Sequence, residues 1–337
     1  MALELGAKRG HQLGRTTFLI SFKLMAKPPK RTQPTQPGAS PVPPELLDLR
    51  KIIALEEQII GQFSPDQEID PLDRAEDLVH EAMEARTVKR KQALLREALA
   101  QDPENIKALQ MTLDLTPMSE GERLGHLREI VLIAAAHVGE DGFQDLVPHF
   151  WGFYETKLYL RSLERVAEAL RGAGLVEEAI VEYEEMLRLN VGDNQGARYS
   201  LLPLLLRQHQ LEKAKSLLDR FPGERKWNAV FAWSAVLERV LAGEEAEAVM
   251  ALAAARQQNI HVEKYVNGLR KLPKNLPSHY SPGSKEEAIC YGEPLAQAWR
   301  QHPGALAWLA RQTTPGKAAQ RGANGQSSGV PRSAARR

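Results

Sequence analysis

The chain carries nine histidines, at His11, His80, His126, His137, His149, His209, His261, His279 and His302. A metal site built on histidine needs two of them on one face at close spacing. Neither an HExxH nor an HxH pair occurs, so no metal site is expected. His149 stands beside Phe150 and Trp151, and there a hydrogen-bonded structural imidazole is the plain reading. Gly172-Ala173-Gly174 precedes a helical pattern and superficially looks like a phosphate loop. No strand leads into it, and no third glycine or lysine follows at the needed spacing, so it reads as a turn. No GxSxG elbow occurs. The single cysteine, Cys290, has no nearby histidine in sequence, and alone it can form neither an intrachain disulfide nor a cysteine-based zinc site. Glu177, Glu178, Glu182, Glu184 and Glu185 crowd one stretch. General acid–base work needs carboxylates held in unlike environments, and these read as one solvated helix face. No catalytic residue, metal or cofactor is expected, and the chain reads as a non-enzyme.

The elements carrying these residues are helical. In LRSLERVAEALRGAGLVEEAIVEYEEMLRLNVGD (residues 160–193), Leu163, Val166 and Leu170 share one helix face, and Ala179, Tyr183, Met186 and Leu187 share another. Gly172 and Gly174 lie between them, where the chain must turn. Each helix has one narrow apolar stripe, so the pair must pack together and then on a neighbour. Ala214 lies 35 residues after Ala179, and Ala248 lies 34 after Ala214, with Gly243 at a turn before it.

This pattern resembles the tetratricopeptide repeat, a helical hairpin of about 34 residues. The family's small residue at the closest helix approach matches Ala179, its following aromatic matches Tyr183, and its turn glycine matches Gly174. Val191 stands where the family usually has proline. The resemblance implies an all-α, right-handed α-solenoid of tetratricopeptide-like hairpins, about four or five of them. It also implies a concave groove lined by the first helix of each hairpin, which assigns Arg161, Glu164, Arg165, Glu168, Arg171, Tyr199, Arg207 and Trp233 to peptide binding. The family's Lys/Asn carboxylate clamp is not reproduced.

MLRLNVGDNQGARY (186–199), and NIHVEKY from Asn259 with Gly283-Ser284-Lys285-Glu286-Glu287-Ala288 and Pro303-Gly304-Ala305-Leu306-Ala307-Trp308 after it, carry a second resemblance. They are similar to uncharacterised bacterial tetratricopeptide proteins related to the suppressor-of-tumorigenicity-seven family, over residues 149–309. That likeness implies a helical repeat fold and an adaptor role, with no catalytic residues. Animal members are membrane-associated. No run here approaches the ~20 apolar residues of a spanning helix, so that property is not carried over.

The remaining chain divides by composition. Residues 1–44 are basic and rich in Pro, Thr and Gln, and read as a disordered tail; Met25 within them reads as an alternative start. ELLDLRKIIALEEQIIGQF (45–63) reads as a helix that either caps the array or pairs with a second copy to form a homodimer. Residues 64–71 read as a linker. Residues 72–138 read as degenerate N-terminal repeats, with a helix ending near Gly139 and with Lys91 where a small residue is expected, so that either its long side chain pushes the two helices apart or the register is different. Residues 139–159 hold six of the twenty aromatics, and read as a connecting segment that is either a hydrophobic plug or a ligand groove around His149, Trp151 and Tyr154. Residues 160–262 read as three repeats, with Pro203 inside a helix. Residues 263–311 read as a C-terminal helical cap, and 312–337 as a disordered basic tail.

Composition narrows the function further. Forty-four Lys and Arg balance forty-three Asp and Glu, for a formal net charge of +1, so no bulk field favours nucleic acid or a membrane surface. One cysteine suits a reducing, cytoplasmic setting. The leading expectation is a scaffold or adaptor binding a peptide segment of another protein. The rivals are nucleic-acid-associated regulation through Lys27, Lys30, Arg31 and the groove arginines, and a ligand-binding helical domain using 143–159.

Overall fold

The computed structural model describes residues 70–147 and 149–313. The chain divides into a unit of residues 1–68 and a unit of residues 69–337, and the described residues belong to the second. The basic tail 1–44, the helix expected at 45–63 and nearly all of the tail 312–337 lie outside the described residues.

Among the described residues there are fourteen α-helices and no strand. They are α1 (Pro71–Glu84), α2 (Val88–Gln101), α3 (Ile106–Asp114), α4 (Glu120–Asp145), α5 (Tyr154–Gly172), α6 (Val176–Leu189) and α7 (Ala197–Arg207). There follow α8 (Leu211–Arg220), α9 (Ala229–Leu241), α10 (Glu245–Gln258), α11 (Val262–Val266), α12 (Lys285–Cys290), α13 (Gly292–Arg300) and α14 (Pro303–Thr313). Short 3-10 turns span Phe150–Gly152 and Pro222–Lys226. No described helix is long and apolar enough to cross a membrane.

The starts of the helices follow their capping residues. Asp70, Thr87, Asn105, Ser119, Asn228 and Ser284 each accept a first-turn backbone N–H, and Ser119 with Glu122 completes a capping box. The turns between α5 and α6, α7 and α8, and α9 and α10 have one common geometry. Leu175 N–H bonds back to Leu170 C=O, Gln210 to Leu205, and Glu244 to Arg239. Each turn pivots on a left-handed residue: Gly174 (φ 78°), His209 (φ 55°) and Gly243 (φ 78°). This is the Schellman ending, which satisfies carbonyls the helix would otherwise orphan. The pivots fall at the same 35- and 34-residue steps as Ala179, Ala214 and Ala248. All three alanines are fully buried.

The first hairpin is built differently. Ala85 is extended (ψ 134°) and Thr87 starts α2, with no left-handed pivot. Lys91 is half-buried, and the helices meet through Leu94, Leu95 and Ala98 against Leu78, Val79 and Ala82. The register therefore differs from that of the later hairpins, and Lys91 need not fit at a close approach. These side chains, with Ala108, form a small core separate from the main one.

Two boundaries expected from the sequence move. The first helix of the hairpin read at residues 160–193 begins at Tyr154, inside the stretch expected to be a connection. The end expected near Gly139 is a kink within α4 (φ 70°, ψ 164°), and a short helical piece runs on to Asp145. Pro203 sits within α7, as expected.

The segment 263–311, expected as an end cap, folds back onto earlier helices. Helix α13 packs on α7 and α11, and both α13 and α14 reach α9. Leu295, Trp299, Trp308 and Leu309 enter the main core, which also holds Leu206, Trp233 and Leu237. Trp308 Nε1 donates to Glu245 at 2.8 Å.

Candidate functional site

Helix α5 buries Leu160, Leu163, Val166, Ala167 and Leu170, so the residues between them form an outward stripe. Arg161, Glu164, Arg165, Glu168 and Arg171 lie at steps of three, one, three and three on that stripe. Arg161, Glu168 and Arg171 are exposed; Glu164 and Arg165 are half-buried. Arg165 grips Asp114 of α3 with both terminal nitrogens, Nη1 at 3.2 Å from Oδ2. Arg123 reaches the same carboxylate at 3.5 Å. Gln110 Nε2 donates to Ser162 Oγ at 2.8 Å, so α3 is held across α5 at a second point. Glu164 accepts from Gln195 Nε2 at 2.7 Å, and burial pushes its carboxyl pKa up despite that bond. The stripe is thus a rigid, mixed-charge surface with two exposed arginines at its ends.

The other groove residues lie elsewhere. Tyr199 on α7 is half-buried, edge-on to Phe231 at 5.8 Å and 6.1 Å from Tyr291. Its hydroxyl donates to Glu224 at 2.9 Å and accepts from Arg198 at 2.6 Å. Burial, then the bond to Glu224, pushes its pKa up to about 12. Arg207 donates to Gln297 of α13 at 3.3 Å. Trp233 is fully buried, and its Nε1 donates to the Asn259 carbonyl at 3.2 Å. Its expected place in an open groove is therefore corrected: the indole is core. His302 Nε2 lies 2.8 Å from the Leu206 carbonyl, and its ring is 5.6 Å from that of His209. The face of α7 and α9 that a first-helix groove would offer is thus covered by residues 285–309, whereas among the described residues the hydrogen bonds and ring contacts of Tyr199, Arg207 and Trp233 go to partners other than the α5 stripe.

Half of the segment's six aromatics pack on one another at the main core. Phe143, Phe150 and Tyr159 sit within 5.0–6.1 Å of one another, and Phe150 is fully buried. His149 is exposed, and Trp151 is half-buried with Lys157 Nζ 5.9 Å from its ring. Tyr154 turns away to donate to Glu76 of α1 at 3.1 Å, beneath Lys107 Nζ at 4.9 Å. Glu76 also accepts from Lys107 at 2.9 Å and Asn105 at 3.3 Å. Burial works against its charge, but Lys107, Asn105 and Tyr154 outweigh it and hold the pKa below the usual carboxylate range.

Sequence reasoning missed Glu287. It is fully buried, yet Ala229 N (2.9 Å), Gly283 N (2.7 Å), Asn259 Nδ2 (2.9 Å) and Gln258 Nε2 (3.1 Å) all donate to it. One carboxylate thereby ties the start of α9, the end of α10 and the start of α12. The signal was present as Ser284-x-x-Glu287, a capping-box pattern; Ser284 Oγ does accept from Glu287 N. Cys290 is half-buried, and burial with Glu286 and Glu287 raises its thiol pKa, which keeps it protonated. Among the described residues no three His, Cys, Asp or Glu side chains converge as metal ligands.

No protein-family model matches the chain, and no curated protein matches it.

Proposed function

We propose that the chain is a right-handed α-solenoid of tetratricopeptide-like hairpins that serves as a non-enzymatic scaffold, binding a peptide segment of another protein. The observation that carries this reading is the recurrence of one turn and one buried alanine at steps of 35 and 34 residues. Such a recurrence is what stacked repeat units require. The binding surface is the stripe Arg161, Glu164, Arg165, Glu168 and Arg171 on α5, bordered by α3. The α7–α9 stretch of the same groove is filled by the chain's own residues 285–309. Arg161 and Arg171 are exposed, and a planar guanidinium takes a carboxylate in bidentate fashion, so a peptide with acidic side chains fits best. A single cysteine agrees with a reducing compartment such as the cytoplasm.

The test is affinity capture of the full chain from nuclease-treated extract, with mass spectrometry, alongside the Arg161→Glu, Arg171→Glu double variant. Arg165 is left intact because it holds Asp114. A stoichiometric partner lost from the double variant is the expected result. A partner retained in full would mean the stripe is not the binding surface.

A further inference from the structure

Helices α6 and α8 meet along a seam. Between α6 and α8 the seam is bridged by Lys213, whose Nζ lies 2.8 Å from Glu184, and only a cleft of about 380 Å³ remains. Leu201, Lys213, Ser216, Leu217 and Arg220 line it. Thirty-four residues on, Ala235, Glu247, Met250, Ala251 and Ala254 occupy the matching positions on α9 and α10. There the cleft is about 600 Å³, and no α8 side chain lines it. The 3-10 turn Pro222–Lys226 supplies the wall instead, through Arg225. A second cleft of about 560 Å³ adjoins it, sharing Arg225 and Ala254 and edged by Lys226 and Trp227.

This surface has a hole and a knob side by side. The hole has small residues, Ala232, Ala235, Ala251 and Ala254 among them, at its floor, and longer side chains, the paired Arg239 and Glu244 with Arg225 and Met250, around them. The knob is Trp227, 68% exposed, with Met250 65% exposed nearby. Such residues are the usual anchors of protein contacts. The charges are also split. Lys226 stands at the Trp227 end and Glu247 in the first turn of α10, both exposed and neither in an ion pair among the described residues. A twofold contact requires each surface to carry both members of every complementary pair. Knob with hole, and cation with anion, meet that requirement on one face.

We propose that this face joins two copies of the chain about a twofold axis. Trp227 of each copy enters the alanine-lined cleft of the other, and Lys226 pairs with Glu247 across the axis in both directions. The contact is separate from the α5 stripe, so it stands or falls without the peptide-binding reading.

The test is sedimentation equilibrium of the full chain from about 1 to 100 µM. The wild type is expected to dimerise. Trp227→Ala and Met250→Glu should each weaken the dimer at least about tenfold, as loss of a buried anchor does. Both side chains are exposed, so unchanged circular dichroism is expected. Lys226→Glu and Glu247→Lys should each weaken the dimer, and the two together should restore it, because both reversed pairs re-form in a symmetric contact. A wild-type chain that stays monomeric at the highest concentration overturns the proposal and leaves the face to a different protein. A dimer indifferent to Trp227→Ala and Met250→Glu also overturns it and moves the contact elsewhere, such as to residues 45–63. Failure of the double charge swap to restore association overturns the Lys226–Glu247 pairing.

Discussion

At the scale of single residues, His209 occupies a backbone site that glycine fills in the other two hairpins. A left-handed conformation costs a residue with a Cβ roughly 1–2 kcal/mol, so His209→Gly should raise stability by about 0.5–1 kcal/mol after the added chain entropy of glycine is offset. Gly243→Ala should lower it by about 1 kcal/mol, and thermal unfolding of both variants checks the pair. Glu76 gives a prediction in pH. Its folded pKa lies below the unfolded value of 4.5, so the folded state favours the carboxylate. The stability it contributes is fully present above that value and is lost as pH falls through the lower folded pKa. Glu76→Gln should therefore flatten the acid side of the stability–pH curve between about pH 5 and 3, measured by urea unfolding, and leave the slope near pH 7 unchanged. The pivot at His209 was hidden in the sequence because histidine seldom takes positive φ; only the 35-residue step from Gly174 pointed to it. The buried carboxylate of Glu287 was hidden because its donors come from positions 229, 258, 259 and 283, which a linear reading does not bring together.

At the scale of elements, the helices were legible wherever an amphipathic stripe met a cap or a glycine turn. Ala179, Ala214 and Ala248 identified the hairpins because only a small side chain permits close helix approach, and all three prove fully buried. Ala214→Leu should accordingly cost about 1–3 kcal/mol by overpacking, while the same change at exposed Ala253 should be nearly neutral, as read by chemical denaturation. The start of α5 at Tyr154 was not legible. Phe153 offers no capping side chain, and the aromatic run masked the helical period. At Lys91 the sequence left two outcomes, helices pushed apart or a different register, and the second fits, because the turn uses Thr87 and an extended Ala85 instead of a left-handed pivot.

At the scale of the molecule, the hairpin α1–α2 keeps its own small core of Leu78, Val79, Ala82, Leu94, Leu95, Ala98 and Ala108. So small a cluster, joined to the rest through α3 and the Glu76 hydrogen bonds, should open more readily than the main core. Amide hydrogen exchange should be faster across 71–101 than across α7 and α9; equal protection would mean that the two cores unfold as one. The α5 stripe was legible as a set because its residues follow helical spacing. The fate of Tyr199, Arg207 and Trp233 was not, since periodicity says which face is apolar and not which partner covers it. Residues 285–309 cover that face from about ninety positions downstream.

That fold-back orders events during synthesis. Arg207 meets Gln297 and Leu206 meets His302 across separations of 90 and 96 residues. At about 5–20 residues per second, roughly 5–20 s pass between translation of α7 and translation of its cover. Through that interval the nascent hairpins carry bare leucine and tryptophan surface, so a chain stalled before residue 285 is a natural client for chaperones, and one released there is prone to aggregate.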